Sequence, residues 1–231
     1  MKDCTKNKIL PFLSTCIKND LPHQTVNLEL SEDGEKLRVH YPSLFDSAEG
    51  YLQTNVFIEF GGCNNIQPHE IRSIKTILSE VTEELVLPFA QVNVLDPART
   101  FWEKATLIHV ECHRGRLAIS PERLSRHWYD LAKLAQSWVR DRALSNRQLL
   151  EDVIVHKKAF FNASYANYDA CLNRLFRLIP KEDEILNLKL DYMKMYKSGM
   201  FSDDLISFDS LMEAIKQLEL DINHCHPLPI G

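Results

Sequence analysis

No run of apolar residues in this chain approaches the ~20 that a membrane-spanning helix needs. The opening residues Met1-Lys2-Asp3-Cys4-Thr5-Lys6-Asn7-Lys8 lack the apolar core of a signal peptide. The six cysteines (Cys4, Cys16, Cys63, Cys112, Cys171, Cys225) are scattered and form no CxxC pair, which argues against a disulfide framework and for reduced thiols in a cytoplasmic protein. There is no basic excess either. Lys and Arg number 27 against 32 Asp and Glu, a net charge of -5, so no global field draws the chain to nucleic acid or anionic lipid, and only a local basic patch remains open. Repeats and low-complexity tracts are absent. What remains is a 231-residue chain, 45% hydrophobic and 26% charged, the profile of a globular protein with one large domain or two small ones.

Apolar spacing predicts a short helix over 3–19, weakened by Pro11. A hairpin follows: Val26, Leu28 and Leu30 alternate with polar residues, Asp33-Gly34 turns the chain, and Leu37, Val39 and Tyr41 alternate on the return. Asn55-Val56-Phe57-Ile58-Glu59-Phe60, closed by Gly61-Gly62, reads as an inner strand, and residues 69–80 as a helix or a loop with helical turns. A strand over 91–95 leads to Asp96-Pro97. Beyond it Phe101, Ala105, Ile108 and Cys112 recur at helical spacing. Ser120-Pro121-Glu122 opens a helix expected to run to about Arg140, with others near 146–163, 166–176, 182–197 and 208–223, and Gly199 fits a C-cap. The expected layout is α+β: a small sheet with flanking helices over 1–115, then a helical part over 116–231.

Three groups of side chains can carry chemistry. Glu59 is the ionisable side chain of its strand; it is a base or metal ligand if its face borders a cleft, and a solvent-facing glutamate otherwise. Lys104 lies at the edge of the apolar face of its helix with Arg99 and Glu103 nearby, either a phosphate site or an exposed lysine paired with Glu103 or Asp96. Arg123, Arg126 and Asp130 fall at i, i+3, i+7 of the 121–140 helix, either a surface salt bridge or, with His127, a polar wall for a nucleotide. His109, Glu111, Cys112 and His113 do not make a zinc site, because no second cluster supplies the remaining ligands. His156-Lys157-Lys158 with Phe160-Phe161 reads first as core aromatics beside a charged face, and second as a surface touching a nucleic-acid backbone.

Taken together, residues 55–62, Val94 to Lys104 and Ser125-Arg126-His127-Trp128-Tyr129-Asp130-Leu131 resemble the AbiEii/AbiGii family of nucleotidyltransferase toxins. Leu149 to Phe161 and Ala166-Asn167-Tyr168 agree with it, so the similarity covers nearly the whole chain. The resemblance implies a partial DNA polymerase β-like nucleotidyltransferase sheet followed by a C-terminal helical part. It also implies a nucleoside triphosphate with Mg2+, transfer to tRNA acceptor ends that arrests growth, and a cognate antitoxin. On this chain's positions, Lys104 matches the family's active-site lysine and Asp130 its essential aspartate. Glu59 stands where a third acidic residue of the sheet is expected, and Arg99, Arg123 and Arg126 are the nucleotide-binding candidates.

One departure qualifies that expectation. The family's glycine-led helix start and D-x-D strand, whose paired carboxylates bind two metals, have no counterpart here. Glu32-Asp33, Asp203-Asp204 and Glu182-Asp183-Glu184 are adjacent residues without such a start. The reading is therefore of a chain truncated at its N-terminus, without a metal site of its own and inactive alone. The rival reading is a non-catalytic module that binds tRNA or an antitoxin.

Overall fold

A computed structural model describes residues 2–21, 26–42, 55–82, 84, 86–115, 117, 123–198 and 206–224. The chain divides into two compact units, one of residues 1–64 with 194–202 and one of residues 65–193 with 203–231. The second unit thus takes in strands and helices from both sides of position 115, because the helix that begins at Pro97 is the hub on which the later helices pack.

The first unit opens with α1 (Lys2–Cys4), a π-helical stretch (Thr5–Ile9) and α2 (Leu10–Asp20). Pro11 follows the π-helical stretch, and the helical run continues through it from Lys2 to Asp20, so the proline does not end the helix. Strands β1 (Asn27–Leu30), β2 (Lys36–His40) and β3 (Asn55–Glu59) form an antiparallel sheet in that order. Gly34 takes φ +69° in the first turn, a conformation glycine adopts without a Cβ clash. Leu10 of α2 packs with Leu37 and Val39 of β2, and Leu13, Ile17, Leu28 and Ile58 surround them. The expectation of an inner strand over 55–60 is corrected: among the described residues β3 is an edge, with Val56 and Phe57 exposed. An apolar run gives the strand but not its neighbours.

In the second unit, β4 (His69–Lys75) and β5 (Phe89–Leu95) pair antiparallel over their full length, from His69↔Leu95 to Lys75↔Phe89, with α3 (Leu78–Val81) between them. For residues 69–80 the expectation is a helix or a loop with helical turns; Leu78–Val81 is helical, but His69–Lys75 is a strand. Ile71 and Ile74 are spaced for a helix, yet pairing with β5 supplies the hydrogen bonds and overrides a weak local pattern. The ribbon leaves Ile71, Ile74 and Phe89 exposed.

Next come α4 (Pro97–His113), α5 (Arg126–Ala135), α6 (Val139–Ser145), α7 (Arg147–Phe160), α8 (Tyr168–Leu172), α9 (Glu182–Lys197) and α10 (Phe208–His224). Helix α4 packs against α5, α6, α7 and α8. Asp96 caps it by accepting from the Ala98 N–H at 2.8 Å, and Pro97 fills the first turn. Phe101, Ala105, Ile108 and Cys112 are fully buried, as their spacing requires. Trp102 donates to the Ala143 carbonyl at 3.2 Å and Trp128 to the Leu178 carbonyl at 2.9 Å, so both indoles bury without an orphaned N–H.

The single helix expected over 121–140 is corrected to two. Ser137 donates to the Leu134 carbonyl and accepts from the Val139 N–H, a local alternative to helix that ends α5 and starts α6. Ser120, Pro121, Glu122 and Gly199 lie outside the described residues. Left-handed residues, Asn167 at φ +47° and Arg174 at φ +58°, bracket α8 and shorten the helix expected over 166–176.

Candidate active site

Lys104 on α4 and Asp130 on α5 meet. The Lys104 Nζ donates to Asp130 Oδ2 at 2.7 Å and lies 3.1 Å from His127 Nδ1. An ammonium can only donate, so His127 accepts at Nδ1 and carries its proton at Nε2. Burial, with the Lys104 and Arg126 cations beside it, pulls the His127 pKa down to about 4. A neutral imidazole and a carboxylate thus orient one ammonium, which keeps a third N–H for another acceptor.

The start of α5 is set from a distance. Asp191 of α9 is buried and accepts from the Arg123 N–H at 2.7 Å, the Ser125 N–H at 2.8 Å and the Ser125 hydroxyl at 2.6 Å. Nothing in the sequence marks Asp191 as a partner of a turn more than sixty residues away.

Arg123 is not on the helix. It has φ +65° in the turn before α5, which corrects its placement on one helical face with Arg126 and Asp130. Arg126 is the first residue of α5 and is exposed.

Arg99 and Lys104 do not share a face of α4. Five residues of helix turn the direction by about 140°. The Arg99 side chain is buried, its Nε donating to Glu103 Oε1 at 3.0 Å, and it lines a cleft with residues of α7. Glu59 belongs to the first unit, on the edge strand β3, with an exposed carboxylate 3.6 Å from Lys36 Nζ.

His109 and Cys112, set aside as zinc ligands, have structural settings. The His109 ring accepts from the Arg177 N–H at Nδ1 and donates to the Asn167 carbonyl at Nε2. Burial and the neighbouring His113 hold its pKa at about 4. Burial drives the Cys112 thiol upward and keeps it protonated.

Among the described residues no three His, Cys, Asp or Glu side chains converge on one point, and the Asp130 carboxylate is held by Lys104 at 2.7 Å. Among the described residues no helix is long and apolar enough to cross a membrane.

A family profile described as "Nucleotidyl transferase AbiEii toxin, Type IV TA system" matches residues 11–214. The chain belongs to the AbiEii family. The resemblance read from residues 55–62, 94–104 and 125–131 is borne out at that level, and with it the α+β class and a toxin of the nucleotidyltransferase type with a cognate antitoxin. No curated protein and no solved structure matches this AbiEii chain.

The two neutral histidines make stability depend on pH. Both have folded pKa values near 4, below the ordinary 6.5, so between those values the unfolded chain binds more protons and stability rises with pH. The contribution is complete above about pH 6.5 and is lost as pH falls toward 4, on the order of 3 kcal/mol for each histidine. Urea midpoints at pH 7, 6 and 5 are expected to fall progressively, with a shallower slope in His127→Gln. A midpoint level across that window contradicts the assignment.

Proposed function

We propose that this AbiEii chain serves nucleoside triphosphate-dependent nucleotidyl transfer to an RNA acceptor, with tRNA the plausible one, that Lys104 grips the triphosphate, and that the chain, which lacks the paired D-x-D carboxylates, is inactive alone. The observation that carries the reading is the 2.7 Å contact between Lys104 Nζ and Asp130 Oδ2, made from two segments far apart in sequence. Asp130 and His127 fix the ammonium, and its remaining N–H is available to a phosphate oxygen. Arg126 adds a second cation at the start of α5.

In the reaction the acceptor hydroxyl oxygen forms a bond to the α-phosphorus and the bond from that phosphorus to the β-phosphate oxygen breaks. Pyrophosphate leaves with the electron pair. Lys104 and Arg126 offset the charge gathering on it, and the hydroxyl proton passes to Asp130 or to water.

The test is incubation of the chain, alone and joined to a D-x-D segment of the family, with each α-labelled nucleoside triphosphate and total tRNA, reading label in RNA. Transfer that requires the added segment and disappears in Lys104→Ala supports the reading. If no triphosphate labels any RNA while tRNA binds with an affinity that drops in Lys104→Ala, the chain is a binding module and transfer is refuted.

A further inference from the structure

The α7 side of α4 holds a second constellation that the Lys104–Asp130 pair does not use. A cleft of about 530 Å3 is lined by Asn65, Gln67, Arg99, Asp152, His156 and Phe160 among others, a volume suited to a small ligand. Among the described residues, two buried polar atoms on its lining side chains have no hydrogen-bond partner: Arg99 Nη2 and His156 Nδ1. The Arg99 side chain is 1% exposed, and its Nε is committed to Glu103. A buried guanidinium N–H without an acceptor is costly to maintain, and an anionic oxygen entering the cleft would satisfy it in the geometry guanidinium favours.

The apolar wall points to the rest of the ligand. Phe160 is 56% exposed although it lines the cleft, and the His156 ring lies 5.1 Å from it, centroid to centroid. An open aromatic face beside a buried guanidinium N–H is the arrangement that receives a base and its phosphate together. Lys157, next in sequence to His156, has its pKa lowered by burial, against the pull of Glu103, and by the Arg99 charge. Lys157 also weighs on His127, so its charge is felt at both the cleft and the Lys104 pair. Asp152 brings the opposite chemistry. One Asp152 oxygen accepts from Gln148 Nε2 at 3.4 Å; a carboxylate accepts and cannot donate, which favours an exocyclic amine, as in adenine or cytosine, over the uracil edge, whose ring N–H is flanked by two carbonyl oxygens that a carboxylate repels.

We propose that this cleft is a nucleotide-unit subsite distinct from the Lys104–Asp130 position, with the phosphate on Arg99, the base on Phe160 and an amino-bearing edge toward Asp152. The unit is a free nucleoside monophosphate or one nucleotide of a single strand. The inference stands on the cleft and does not require that the chain transfer nucleotides.

The probes are AMP, UMP, inorganic phosphate and a 5′-labelled six-residue oligoadenylate, titrated onto the full chain by calorimetry and anisotropy. AMP is expected to bind more tightly than UMP and phosphate. Phe160→Ala removes an exposed ring, and circular dichroism checks that the fold is kept. It is expected to weaken AMP roughly tenfold, the loss of one base stack. Lys104→Ala is expected to leave AMP affinity within about twofold, so failure of the Lys104 reading and failure of this one are told apart. An oligoadenylate that binds much more tightly than AMP identifies the strand as the source; equal affinities identify the free nucleotide. Absence of AMP and oligoadenylate binding, indifference to Phe160→Ala, phosphate binding as tightly as AMP, or loss of AMP binding in Lys104→Ala overturns the proposal.

Discussion

Asp191→Ala is expected to lower stability by roughly 3–5 kcal/mol, because hydrogen bonds to a buried charged acceptor are worth about 1.5–3 kcal/mol each and their donors would be left unpaired. The carboxylate accepts three such bonds, from the Arg123 and Ser125 N–H groups and the Ser125 hydroxyl, and is 3% exposed. Its partners hold the turn from which α5 starts, so the loss also loosens His127 and Asp130. Asp191→Asn keeps an amide oxygen for one or two of the donors and is expected to cost less than half as much. Urea unfolding at pH 7 measures both. A shift in Asp191→Ala below about 1 kcal/mol, the range of surface contacts, would show that the turn is held by something other than this carboxylate.

The contrast between Asp191 and Lys104 shows where sequence stops being informative. The face of α4 was legible because Phe101, Ala105, Ile108 and Cys112 repeat with the period of the helix, and burial follows period. The β1–β2 hairpin was legible because Asp33-Gly34 supplies the turn between two alternating runs. Residues 69–75 were not, since a strand with one partner among the described residues and both faces largely exposed imposes little alternation on its sequence. Nor was the break at Ser137, where a side-chain hydrogen bond competes with the helix at one position and leaves the apolar spacing around it undisturbed. The site divides in the same way. Lys104 and Asp130 came from family motifs and meet in space, but Arg99 was grouped with Lys104 by nearness in sequence, and the helical turn between them sends the two side chains to different places. Asp191 and the cleft under Phe160 depend on packing between helices distant in the chain, which no local pattern encodes.

The Lys104–Asp130 pair separates a structural salt bridge from a ligand grip by magnitude and by sign. The Asp130 side chain is 43% exposed and that of Lys104 22%, and pairs at such positions contribute only about 0.2–1 kcal/mol to folding. Lys104→Ala should therefore leave the urea midpoint nearly unchanged. Its effect on a triphosphate is larger, since one charge-assisted hydrogen bond to a phosphate oxygen is worth about 1.5–3 kcal/mol, or roughly 10- to 150-fold in affinity. Asp130→Asn acts in the opposite direction on binding. Removing an anion beside the ammonium favours an incoming polyanion, so affinity for a non-hydrolysable triphosphate should hold or rise. Transfer, where the oriented ammonium and the carboxylate are both needed, should fall by at least about 100-fold, the scale seen when one preorganised electrostatic group is lost. Calorimetric titration, and initial transfer rates with the D-x-D segment joined, provide the comparison on the two variants. Equal losses of stability and affinity in Lys104→Ala, or weaker triphosphate binding in Asp130→Asn, would reduce the pair to a brace between α4 and α5.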